Sequence, residues 1–316
     1  MDKRVSRFLL LPIVCCSALI LAQQTTTPPA GQAAGQGGRG QDQPGGGRGG
    51  RGTRARTGRK VVLAWADTRN GIAQHDSVSH ALAVIERLGY ESGVYDTYIR
   101  TDSNIISKHP KMTTGEPASG GPDLNMADAI FFLGHREVEL TPDQKADLLA
   151  FVHDDGKGFV AAHIATTAFL SWPEFGEMLG GRFDTHPWGS VTANVINEDP
   201  TFPATKHLPL TFELHDEFYQ SKEFSREKSR VLLRLDTSKL PVNQNVHITN
   251  GDFPIAWAKM YGKGRVFYST FAHDAKTWDN PDIYQMYFEA IKWALKLTDA
   301  DVTPRPLPAA ATPDAK

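Results

Sequence analysis

The chain has 316 residues, a formal net charge of −2 and only two cysteines. That length is enough for one large α/β domain with a well-buried core. Both cysteines, Cys15 and Cys16, lie in an N-terminal apolar run, so the body of the chain has no thiol. This excludes disulfides, thiolate zinc sites, iron–sulfur clusters and a cysteine nucleophile there.

Lys3, Arg4 and Arg7 precede the apolar stretch 8–22. A basic segment followed by an apolar one of this length predicts a secretory signal peptide over 1–22, and hence a periplasmic or secreted protein. No later stretch reaches the ~18 apolar residues of a membrane helix, so the mature chain is expected without a transmembrane segment. Residues 23–59 are Gln, Thr, Pro, Gly and Arg with almost nothing apolar, and predict a disordered linker. Residues 39–60 carry +6, whereas 61–316 carry −10. An acidic body argues against nucleic acid as a partner.

From residue 60 the pattern becomes that of alternating strands and helices. VVLAWA at 61–66 is an apolar β-run. Residues 73–88 predict a helix, with Val78, Ala81, Leu82, Ile85 and Leu88 spaced along one face. A short strand is expected at 92–95 and a buried one, AIFFL, at 129–133. Thr141-Pro142-Asp143-Gln144 reads as a capping box with proline at the first helical position, opening a helix that stops at Gly156. FVAA at 159–162 is the next strand. Short buried strands alternating with amphipathic helices predict a parallel sheet covered on both faces.

Beyond Gly181 the second half is β-rich, with strands expected at 191–196, 210–214, 231–235, 255–260 and 266–270. A tight hairpin at Gly262-Lys263-Gly264 joins the last two. Asn280-Pro281 opens a closing helix with Ile283, Tyr287, Ala290, Ala294 and Leu297 on one face. One α/β domain over 60–298 follows, with a disordered tail over 299–316.

In open parallel sheets, sites form beyond the C-terminal ends of the strands. Here those ends carry Arg69, His135 and His163, and in a flavodoxin-like strand order the three strands are neighbours. His75 lies in the loop before the first helix. His75 and His80 are five apart and do not share a helical face, so they make no metal pair by themselves. GGRFDTHPWG, 180–189, reads as a rigid loop holding His186 and Trp188 over a pocket, or as a turn with Trp188 plugging the core edge. In HDEFY, 215–219, adjacent carboxylates in a strand point to opposite faces; Glu217 is expected to face the site and Asp216 the solvent. His273 follows another strand, with Trp278 nearby. Aromatic rings and carboxylates around a pocket suit sugar recognition.

Several stretches together resemble the ThuA-like (trehalose utilisation) family: HDSVSHALAVIERLG after Arg69, ADAIFFLGH, GKGFVAAHIATTAF, LGGRFDTHPW, DEFY and FPIAWAKMYGKGRVFYSTFAHD, with Trp278 behind them. They span nearly all of 60–298 in order. The resemblance implies a flavodoxin-like fold of the class I glutamine amidotransferase-like superfamily. That superfamily's amidotransferases place a cysteine at the strand-to-helix elbow where this chain has His163, so glutamine hydrolysis is excluded. It further implies a role with carbohydrates, keto-disaccharides included. His163, His186 and Glu217 are then the expected catalytic groups, acting by acid–base chemistry or with a divalent metal held by histidines. Arg69, His75, His135, Trp188, His273 and Trp278 are the expected substrate contacts. The alternative is a saccharide-binding module without turnover.

Overall fold

A computed structural model describes residues 58–69, 75–118, 121–134, 137, 140–248 and 250–307. The expected signal peptide, nearly all of the linker, His135 and residues 308–316 lie outside the described residues.

The apolar run after residue 60 forms β1 (Lys60–Trp65), and its partners in the parallel half are β2 (Tyr95–Arg100), β3 (Ala129–Phe132) and β4 (Gly158–Ala162). Between them lie α1 (Ser77–Ser92) and α2 (Pro142–His153), and after β4 come a 3-10 turn (His163–Thr167) and α3 (Pro173–Leu179). The second half supplies β5 (Arg182–Thr185), β6 (Ser190–Asn197), β7 (Thr211–Glu217), β8 (Gln220–Lys222), β9 (Arg230–Leu235), β10 (Pro254–Tyr261) and β11 (Gly264–Ser269), then α4 (Pro281–Ala294).

Nine of these strands form one sheet in the order β2-β1-β3-β4-β11-β10-β9-β6-β7. The pairings from β2 to β11 are parallel, and those from β11 to β7 are antiparallel. The first four strands keep the flavodoxin order, so β1, β3 and β4 are neighbours as expected. The fifth parallel place is filled by β11, which arrives from the far end of the chain.

Residues alternate between the two faces of the sheet. Along β1, Val62 and Ala64 enter one core with residues of α1 and α4, while Leu63 and Trp65 enter a second with residues of α2 and α3. Both faces are dry, which is why these strands read as unbroken apolar runs. The predicted capping box is present: Gln144 N–H donates to Thr141 Oγ1 at 3.2 Å, and Thr141 N–H to Gln144 Oε1 at 3.0 Å. Gly262 turns the β10–β11 hairpin at φ 57°, against the His153 carbonyl, where a Cβ would sit 2.4 Å from that oxygen.

Four expectations need correction. The first helix continues to Ser92 and ends at Gly93 in the left-handed region, so the next strand is Tyr95–Arg100 rather than 92–95. The stretch at 180–189 is not wholly loop: Arg182–Thr185 pairs with Gln220–Lys222 as a separate small sheet. The strand expected at 210–214 and the one read through HDEFY are a single element, Thr211–Glu217. Finally, the start of the expected tail is held by the body. Buried Arg230 donates to the Thr303 carbonyl at 2.8 Å, and Ala300 and Val302 pack against the first core.

Candidate functional site

β4 leaves the sheet through a corner. Its last residue, Ala162, is in register with Ser269 at the end of β11. The next residue, His163, adopts φ 40°, a left-handed conformation that costs a non-glycine residue about 1–3 kcal/mol unless its surroundings enforce it. Here they do: the Tyr268 hydroxyl donates to the His163 carbonyl at 2.8 Å and meets Thr166 Oγ1 at 3.0 Å. The corner turns the His163 ring toward β11, where Nδ1 lies 2.6 Å from the Thr270 carbonyl. A carbonyl only accepts, so Nδ1 carries a proton, and Nε2 faces away from the sheet. His163 is 0% exposed.

His273 comes from the turn that follows β11. Ala272, at φ 80°, shapes that turn, and Asp216 secures it. One Asp216 oxygen accepts from Ala272 N–H at 2.6 Å and the other from His273 N–H at 3.1 Å. The Glu217 N–H is a third donor, at 2.9 Å. Asp216 is therefore buried, not solvated as expected from the sequence. Burial pushes its carboxyl up, against the lowering effect of His163 and the three backbone donors.

Glu217, at the end of β7, points to the opposite side and joins the histidines. Its Oε2 lies 3.2 Å from His273 Nδ1 and 3.6 Å from His163 Nε2; its Oε1 lies 3.5 Å from His186 Nδ1. His163 Nε2 and His273 Nδ1 are 3.0 Å apart. Burial alone raises the Glu217 carboxyl, but hydrogen bonds with His163 and His273 and the field of His186 outweigh it and hold the group well below the usual carboxylate range. The hydrogen bond to Glu217 raises His273 in turn, against its own burial. His75, just before α1, completes the group: its ring is 5.2 Å from that of His163 and 4.7 Å from that of His273, edge-on to both. One donor atom from each of His75, His163, Glu217 and His273 lies within 4.8 Å of the others.

The remaining expected residues have different fates. The His186 side chain, at the end of β5, is 49% exposed and sits on the open side of Glu217. Arg69 is exposed on the β1 rim beside Asp67 and Asp102, at 3.8 and 4.0 Å. Trp188 takes the core-edge alternative, packing 5.7 Å from Phe253 with its Nε1 donating to the Pro241 carbonyl. Trp278 is corrected from a substrate contact to a core residue. Its ring is fully buried, stacks on Tyr287 at 4.7 Å and donates to the Ala272 carbonyl, leaving no face for a sugar. His80 pairs with Asp279 at 2.9 Å, apart from His75.

One group was missed. The Tyr219 ring lies 4.3 Å from that of His163, and its hydroxyl is raised by burial and by the Glu217 carboxylate. The signal was available, because the alternation that places Glu217 on one face places Tyr219 with it. The role of the Thr270 carbonyl left no trace in the side-chain sequence. Perturbed titratable groups gathered at a strand-end rim mark a functional centre.

Comparison with known proteins follows the same outline. The profile of the ThuA family, described as trehalose utilisation, matches residues 61–294. A comparison with curated proteins gives no match. Among solved structures, a ThuA-like protein from Bacteroides uniformis is 22% identical with a TM-score of 0.59, covering 75% of this chain and 91% of its own. A ThuA-like protein from Parabacteroides merdae is 17% identical with a TM-score of 0.55, covering 79% and 94%. At these identities the likeness concerns the fold.

Proposed function

The chain belongs to the ThuA family, and on that premise we propose that it is an enzyme that processes carbohydrates, disaccharides and their keto forms, at the rim beyond β4, β7 and β11. The family's description supports the substrate class. The observation that carries the catalytic reading is the convergence of His75, His163, Glu217 and His273 within 4.8 Å, with His186 on the open side.

Roles follow from exposure. A group that exchanges protons with a sugar must reach it, and His163, wholly buried, does not. It positions the centre through Thr270 and His273. His186 is the proton carrier that meets the substrate, with its ring oriented by Glu217 Oε1. Positioned imidazoles contribute about 10²–10⁴-fold to proton-transfer steps. Phe183 and Tyr219, with ring centroids 4.7 Å apart, bring aromatic surface beside His186. We extend the proposal to export, supported by the basic segment and apolar run within 1–22.

Incubation of the purified protein with ordinary and 3-keto disaccharides, followed by product analysis, tests this. New products are expected, with turnover lowered about 10²–10⁴-fold in His186→Ala and unchanged in His80→Ala. Saccharide binding without products would replace the enzyme with a binding module. Sequencing the N-terminus of the protein recovered from its host tests export: a start near residue 23 is expected.

A further inference from the structure

We propose that His75, His163, Glu217 and His273 are the ligands of a divalent transition-metal cation of the zinc class. As a catalytic cation it rests on the carbohydrate-processing reading of this rim, whereas its binding can be measured separately.

Three of the donor atoms form a nearly closed triangle: 3.0 Å from His163 Nε2 to His273 Nδ1, 3.2 Å from there to Glu217 Oε2, and 3.6 Å back to His163 Nε2. A tetrahedral cation with bonds of about 2.0–2.1 Å holds its donors about 3.3–3.4 Å apart, so the triangle matches one face of such a site. His75 stands edge-on to both imidazoles and supplies the fourth donor within the same 4.8 Å. Three imidazoles and one carboxylate are a donor set that borderline divalent cations favour.

A second, independent feature lies behind the triangle. The far nitrogen of a metal-bound histidine generally donates to a backbone carbonyl or carboxylate, which fixes its tautomer and orients its lone pair. His163 has this arrangement: Nδ1 is held by the Thr270 carbonyl at 2.6 Å, in a corner whose φ of 40° is enforced by Tyr268. For His273 the support is on the backbone and not on the ring: Asp216 accepts the Ala272 and His273 N–H groups. His163, Glu217 and His273 thus come from strand ends or the turns that follow them, and His75 from just before α1. Glu217 directs one oxygen to the triangle and the other to His186, so the proton carrier remains outside the ligand set. With four protein donors in place, a sugar oxygen would reach the cation as a fifth ligand, and the cation would then act on it as a Lewis acid.

The full chain, stripped with a chelator, is titrated with Zn²⁺ and with Co²⁺ by calorimetry, and the cobalt form is read by its visible absorption. One cation per chain is expected, with the intense bands of low-coordinate cobalt. His273→Gln and Glu217→Gln should each weaken binding by more than the about 10–100-fold that outer-sphere changes cost, whereas His186→Ala should leave stoichiometry and spectrum unchanged. Both ligand variants keep a polar side chain of similar size, and circular dichroism checks their fold. No stoichiometric binding by the folded wild type, or undiminished binding in both ligand variants, overturns the proposal and leaves a shared proton as the link in the triangle. A bound cation without sugar turnover sinks the carbohydrate reading alone; turnover by the cation-free protein sinks the catalytic role of the metal.

Discussion

Asp216 sets the place of His273 through the backbone rather than through the ring, accepting the His273 N–H at 3.1 Å and the neighbouring Ala272 N–H at 2.6 Å. In Asp216→Ala these buried donors lose their acceptor, at a cost of about 1–3 kcal/mol. Chemical denaturation should show that loss, and turnover should fall with it because His273 is no longer held. Asp216→Asn, which keeps one acceptor oxygen, should lie between the variant and the wild type.

Tyr268 enforces the strained corner at His163. Tyr268→Phe removes the 2.8 Å hydrogen bond to the His163 carbonyl with almost no change in shape. A stability loss of about 1 kcal/mol is expected, measurable by urea melts, together with lower turnover at unchanged KM.

Trp278 separates a core role from a substrate-binding one. Its full burial predicts a loss of about 3–5 kcal/mol in Trp278→Ala, read by thermal or chemical unfolding. In Trp278→Phe, KM should stay at its wild-type value. A raised KM in a stable Trp278→Phe protein would restore the sugar contact.

At the opposite end of the sheet, Asp128 accepts the Val61 N–H at 2.9 Å and pairs with Lys157 at 3.0 Å. Burial alone raises its carboxyl, but these partners outweigh it and lower the group. A depressed carboxylate stabilises the fold above its unfolded pKa, near 4, and loses that contribution as pH falls through the lower folded value. Asp128→Asn should therefore be less stable than the wild type at pH 7, with the two unfolding midpoints converging as the pH drops below about 4.

The parallel half was readable because its strands are buried on both faces and its helices carry their caps in the sequence: VVLAW, AIFF, FVAA, the Thr141–Gln144 box and Asn280-Pro281 all appear where expected. β2 was misplaced because YDTYIR is a polar edge strand with no apolar run to reveal it. The short β5–β8 pair depends on two segments 35 or more residues apart, which no local pattern reports. At the site, His163 and His273 were named from strand-end positions, Glu217 from alternation within a strand and His75 from the loop before the first helix, and the structure brings them together. Tyr219 was recoverable from strand alternation. The burial of Asp216 was not, because it depends on the turn at 270–273 folding over its face. Trp278 shows the converse error: proximity in sequence to His273 says nothing about which way an indole points.

The polar quartet draws on positions 75, 163, 217 and 273, one from the front of the chain, one from the middle and two from the strands laid down after it. No fragment shorter than about two hundred consecutive residues contains all four, so a chain truncated inside that span cannot build the complete centre. Occupancy of that centre would thus serve as a built-in gauge of whether the two halves of the sheet have been joined.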